Sequence, residues 1–152
     1  PRLPTFLLGN SLGGLLALDA AIHGPTSLAG VVALAPAVDE SGVPGTVRLV
    51  VPLLARIAPR LPIDPGLDLA SLSRDRELAE SYLADPLFQR RTTPRLGAAV
   101  LGAMRTTRRR AGHLAVPLLM LHGEADRVVP AAGSAAFFAA AGSRDRTRIG
   151  YP

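Results

Sequence analysis

Apolar residues along this chain alternate between two kinds of spacing, and the changes mark its elements. Residues 5–8 (Thr5-Phe6-Leu7-Leu8) form a short apolar run ended by Gly9, the pattern of a buried strand. Leu12, Leu15, Leu16, Leu18 and Ile22 then recur at helical spacing and predict a helix over 12–22, stopped by His23-Gly24-Pro25. Residues 28–35 read LAGVVALA, apolar throughout with paired valines, which suits an interior parallel strand. The opening segment is therefore strand, helix, strand.

From Asp39 to Gly112 the texture changes. Prolines are frequent, arginines come at intervals, and Val47, Val50, Val51, Leu54 and Ile57 have helical spacing. Ser73-Arg74-Asp75 predicts the start of a helix that runs through Leu83 and stops near Asp85-Pro86. Thr93-Pro94 is an N-cap and first-turn pair for a helix to about Arg108. The segment 39–112 is thus expected to be a helical cap whose apolar positions pack as its own core. The α/β pattern resumes at 116–121, a strand running into His122-Gly123-Glu124-Ala125-Asp126. A compact helix follows over 134–141 with Gly142 as its stop, and a last strand spans 147–151. Residues 1–38 and 113–152 together form one α/β core, a mostly parallel sheet flanked by helices and interrupted by the cap.

Composition supports a packed domain and narrows its partners. The 152 residues are 48% hydrophobic with a mean hydropathy of +0.27, enough for a sizeable core. No apolar run approaches the roughly 20 residues that span a bilayer, and Pro1-Arg2-Leu3-Pro4 lacks the regions of a signal peptide. There is no cysteine, which excludes disulfides and thiolate metal sites and suits a reducing compartment; a cytoplasmic location is the expectation. The net charge is +5, and all 17 basic residues are arginine. Aromatics are only 4% and do not interleave with the arginines, so the stacking platform of a single-strand binder is missing. Arg108-Arg109-Arg110 reads instead as a solvated helix end whose cations favour the helix dipole, and no nucleic-acid partner is expected.

The candidate chemistry begins at Ser11. Gly9-Asn10-Ser11-Leu12-Gly13 fits G-x-S-x-G and stands directly after a predicted strand and before a predicted helix, where that pattern forms a nucleophile elbow. In such a sharp turn, glycines two residues before and after the serine are expected to remove Cβ atoms that would collide. The helix start directs its backbone N–H groups at the site, and the N–H of Leu12 is the candidate oxyanion donor. A phosphate-binding or capping turn is the competing reading of a glycine-rich strand-to-helix junction, but neither G-x-G-x-x-G nor G-x-x-x-x-G-K-[ST] is present. A nucleophilic serine needs an acid and a base further along, in the order serine, acid, histidine. Asp126 and Glu124 both stand in the loop after a buried strand, from which a carboxylate can reach over the edge of the sheet.

Taken together, GNSLGG, the cap and LMLHGEADRVVP resemble the α/β-hydrolase superfamily, and within it the monoacylglycerol lipase and lysophospholipase-like group. That group's elbow is usually G-H-S-M-G-G, its acid loop H-G-x-x-D-x-[VI]-[VT], and its cap often carries a stretch like LSRDRELAESYLADPL, here at 72–87. The resemblance implies Ser11 as nucleophile and Asp126 as acid, and hydrolysis of an ester of the monoacylglycerol or lysophospholipid type without metal or organic cofactor. Asn10 replaces the usual histidine, and G-N-S-x-G-G also resembles the elbow of hydrolases that cleave carbon–carbon bonds in ring-fission products. A non-catalytic α/β-hydrolase-like binding protein is a further alternative. His23, His113 and His122 all precede Asp126, so none stands where the group's catalytic histidine falls, and His122 reads as a structural part of the acid-loop motif. Both ends look cut. The expectation is that these residues alone lack the base and the second oxyanion donor, are inactive, and expose an unpaired edge and apolar faces at residues 5–8. The apolar stretch VRLVVPLLARIAP, with its interspersed arginines, makes membrane contact through the cap a further expectation.

Overall fold

A computed structural model describes residues 3–24, 27–66 and 73–152. Four strands, β1 (Thr5–Asn10), β2 (Leu28–Leu34), β3 (Leu118–Gly123) and β4 (Arg146–Tyr151), form one sheet in the order β1-β2-β3-β4, with every neighbouring pair parallel. Five helices accompany them: α1 (Leu12–His23), α2 (Gly45–Ile57), α3 (Arg76–Ala84), α4 (Pro94–Arg109) and α5 (Ala131–Ala140). The chain divides into two compact units. The core unit is Pro1–Gly42 with Leu101–Pro152, and the second unit is Val43–Val100. The helix α4 begins in the second unit and ends in the core unit.

In the core unit, the all-apolar run at 28–34 lies inside the sheet, between β1 and β3, as its unbroken hydrophobicity predicts. Val31 and Ala33 are buried, as are Leu118 and Met120 on β3. The helix α1 packs against β1 and β2, and α5 against β3. Leu15, Leu18, Leu114 and Phe137 complete this core. Each such side chain contributes about 1.5–3 kcal/mol through removal from water.

Residues 5–8 do form a strand, but not a buried one. Phe6 is 60% exposed and Leu8 72%, because β1 is an edge strand with β2 as its sole partner in the sheet. The expected unpaired edge and exposed apolar residues are both present there. The helix predicted at 134–141 begins three residues earlier, at Ala131, where Pro130 precedes its first turn. At the end of α1 the stop includes Gly24, whose missing Cβ leaves room for the Ala20 carbonyl; Pro25 lies outside the described residues.

The loop after β2 is fastened to the last turns of α4. Arg108 donates to Asp39 Oδ2 at 2.6 Å and Arg105 to Glu40 Oε2 at 2.8 Å. Both arginines are about half exposed, so each pair adds at most about 1 kcal/mol. The basic triplet of the sequence is therefore used at a helix end, with Arg109 donating back to the Arg105 carbonyl and Arg110 to His23.

The second unit, narrower than the expected 39–112 segment, carries α2, α3 and the start of α4. Asp75 caps α3, its carboxylate accepting from the N–H groups of Glu77 and Leu78, and Thr93 Oγ1 accepts from Leu96 at the start of α4. Leu72, the first residue of the stretch that resembles the lipase group's cap, lies outside the described residues. The apolar positions expected as cap core are mostly exposed. Val51 alone of Val47, Val50, Val51, Leu54 and Ile57 is buried, against Gly97 of α4, while Ile57 is 74% exposed. Helical spacing marks an apolar stripe along such a helix and does not say how much of it is covered.

The glycines around Ser11 are not equivalent. A Cβ on Gly9 would collide with the Gly13 carbonyl, and one on Gly14 would come within 2.9 Å of Pro36 Cβ, whereas one on Gly13 would meet nothing within 4 Å. The steric requirement thus falls on Gly9 and Gly14 and not on Gly13. Gly9→Ala is expected to destabilise the full-length protein by about 1–3 kcal/mol or more, since the obstacle is backbone. Gly13→Ala, in the first turn of α1, should be neutral or stabilising by up to about 1 kcal/mol. Thermal unfolding of the two variants side by side checks the contrast.

Candidate active site

Parallel pairing brings the C-terminal ends of the strands to one edge, and both candidate residues lie there. Ser11 directly follows β1, and Asp126 stands three residues beyond β3, with β2 between them. Backbone hydrogen bonds extend the ladder past the strand ends: Ser11 N–H donates to the Leu34 carbonyl at 2.9 Å and Ala35 N–H to the Leu121 carbonyl at 2.8 Å. The axes of β1 and β3 are two strand spacings, about 10 Å, apart.

Ser11 has φ 51° and ψ −114°, a positive φ outside the compact left-handed region. A non-glycine residue there costs about 1–3 kcal/mol and persists only where its surroundings over-determine it. They do so here. Its carbonyl accepts from Leu15 N–H, the first bond of α1, and from Ala37 N–H, both at 3.1 Å. Ala35 also has a positive φ, 39°, and delivers Pro36 against Gly14. No side chain caps α1, so the N–H of Leu12, its first residue, has no partner from a cap.

The loop after β3 is folded around Asp126. Its Oδ1 accepts from the N–H groups of Val128 and Val129, both at 2.8 Å, and its own N–H donates to the Gly123 carbonyl. Glu124, the other acid of this loop, is engaged elsewhere. Arg148 on β4 donates to Glu124 Oε1 at 2.7 Å, and Gly150 leaves the space in which that carboxylate lies. Sequence alone left these two acids open before the family resemblance; the partner that separates them, Arg148, is 24 residues away and carries no local signal.

None of the three histidines is placed to serve Ser11. His23 ends α1, about 18 Å along the helix from Ser11 at 1.5 Å per residue, and its ring bonds the Asp19 carbonyl and Arg110. His113 lies in a short 3-10 turn before β3, toward the opposite edge of the sheet. His122 is on the right edge but buried, its Nε2 2.9 Å from the Val129 carbonyl, as its reading as a structural residue expects. Among the described residues, no three His, Asp or Glu side chains converge where a metal ion could be held.

A parallel sheet with a strained serine between strand and helix, and with a carboxylate loop after a later strand at the same edge, is an α/β-hydrolase fold. The chain belongs to the Hydrolase_4 family, described as serine aminopeptidase, S33, whose model matches residues 1–152. It is 35% identical over 136 residues to a monoacylglycerol lipase of Mycolicibacterium smegmatis, covering 88% of this chain and 48% of the relative. It is also 35% identical over 151 residues to a human monoglyceride lipase, covering 97% and 49%. Among solved structures, the monoacylglycerol lipase of Paleococcus ferrophilus superposes with a TM-score of 0.93 at 34% identity, covering 97% of this chain and 58% of that one. The chain spans about half the length of the curated relatives it matches.

Because the strain at Ser11 is borne by its backbone, glycine should relieve it. Ser11→Gly is expected to stabilise the full-length protein by about 1 kcal/mol, the released strain exceeding the entropy glycine adds to the unfolded chain. Urea unfolding of this variant beside Ser11→Ala, which keeps the Cβ and hence the strain, measures the difference.

Proposed function

We propose that the full-length protein is a serine hydrolase of carboxylic esters, of the monoacylglycerol or lysophospholipid type. The observation that carries this reading is the positive φ of Ser11 at a strand-to-helix turn, the conformation that lifts a serine side chain clear of the sheet edge. Ser11 Oγ attacks the ester carbonyl. The tetrahedral oxyanion is received by the Leu12 N–H at the start of α1, assisted by the positive end of that helix. Asp126 orients the base that takes the Ser11 proton and then returns it to the leaving alcohol; water hydrolyses the acyl-enzyme by the same route. Since none of His23, His113 and His122 fits the base, the reading gives that role to a residue outside 1–152. Similarity to monoglyceride lipases favours an ester over the carbon–carbon bond of a ring-fission product.

Ser11→Ala in the full-length protein should lower kcat for monoacylglycerol hydrolysis on the order of 10⁶-fold and abolish covalent labelling by a fluorophosphonate, with the fold retained. Retained turnover would remove Ser11 from the mechanism. A wild type that binds monoacylglycerol without cleaving it would support the binding-protein alternative.

A second reading, contact with a lipid surface, is supported by α2. Leu49, Val50, Leu53 and Ile57 are all exposed and, at 100° per residue, fall on one face of that helix, with Arg56 at the border of the stripe. No helix among the described residues is long and apolar enough to cross a membrane. Leu53→Glu with Ile57→Glu should reduce co-sedimentation with phosphatidylglycerol-containing vesicles at least several-fold while leaving hydrolysis of a soluble ester unchanged. Undiminished sedimentation would exclude α2 as the contact.

A further inference from the structure

His122 is the most deeply enclosed ionisable side chain at the sheet's C-terminal edge, and the mechanism above gives it no task. Its side chain is fully buried at the end of β3. Its Nε2 lies 2.9 Å from the Val129 carbonyl, an atom that can only accept, so Nε2 carries the proton. The same nitrogen lies 3.5 Å from Asp126 Oδ2, while Nδ1 is buried with no hydrogen-bond partner. Leaving a buried ring nitrogen unpaired is unfavourable, and an apolar ring would fill the same volume without that penalty. The feature that an apolar ring cannot supply is the Nε2–H directed at the acid loop.

We propose that His122 is a positioning residue for Asp126, an inference that rests on the assignment of Asp126 as the acid. The loop is closed twice. The His122 Nε2–H to Val129 bond ties its far end to β3, and inside that closure Asp126 Oδ1 receives the Val128 and Val129 N–H groups. With Oδ1 engaged twice by backbone, Oδ2 is the oxygen left to accept the N–H of the base. The ring edge beside Oδ2 limits the rotation of the carboxylate about χ2. Releasing the Val129 carbonyl frees the two N–H groups that hold Oδ1 and lets the carboxylate turn, so His122 acts on the reaction through Asp126 without touching substrate.

The test uses the full-length protein and a soluble p-nitrophenyl ester, with His122→Phe, His122→Gln and His122→Asn beside Ser11→Ala and Asp126→Asn. His122→Phe should lower kcat about 10–100-fold, by analogy with the loss of partners that orient metal-coordinating side chains, with KM within about twofold. The acidic limb of its kcat/KM profile should move to lower pH. A misoriented Asp126 stabilises the protonated base less, so the base loses its proton at a lower pH. His122→Gln, whose amide N–H can reach Val129, should restore most of kcat, and the shorter His122→Asn should not. If His122→Phe does not fold, the comparison of Gln with Asn decides by the same readouts. Wild-type kcat and pH profile in His122→Phe, or equal activities in Gln and Asn, would overturn the inference even with Ser11→Ala and Asp126→Asn inactive. Wild-type turnover in Asp126→Asn would overturn the assignment of the acid itself, a separate outcome.

Discussion

The backbone bonds that hold the turn after β1 are the constraint on which this structure depends. Ser11 occupies a conformation that a free chain avoids, and three interactions keep it there. Its N–H is bound by Leu34 at the end of β2, and its carbonyl is bound by Leu15 in α1 and by Ala37 beyond β2. Two of these partners belong to β2 and α1 and the third, Ala37, is itself buried, so the apolar packing of the core ultimately carries the strain. The second turn at this edge, with Ala35 at positive φ, is its counterpart: it brings Pro36 against Gly14 and completes the enclosure of the helix start.

The loop after β3 solves a similar problem differently. It contains no residue with positive φ, and side chains join two backbone bonds, Asp126 N–H to Gly123 and Glu124 N–H to Tyr151, in shaping it once β3 has ended. Asp126 takes up two backbone N–H groups, and His122 takes up the Val129 carbonyl. Arg148 holds Glu124 over Gly150 on β4, which separates the two acids of the loop. Two loops on parallel strands thereby reach a common edge by local means, one through backbone strain and the other through side-chain bonds.

The second unit shows where sequence pattern is weakest. Its helices begin where Asp75 and Thr93-Pro94 predict, because a cap is a local event settled by a few neighbouring residues. Its burial was not predictable in the same way. Val47, Val50 and Ile57 share the spacing of a core face with Val51, yet of the four only Val51 is buried.

What the sequence determined by itself was everything that acts over a few residues or through continuous burial. The alternation of strand and helix, the interior position of 28–34, the strand-to-helix placement of Ser11 and the loop at 122–126 after β3 all follow from local pattern. Tertiary structure alone decided which glycine is sterically required beside Ser11, and that Glu124 is held by Arg148. These depend on contacts between residues far apart in the chain, set by strand order and register. Periodicity carries the preference of a residue for burial or for a turn, but not the identity of the neighbour it will meet.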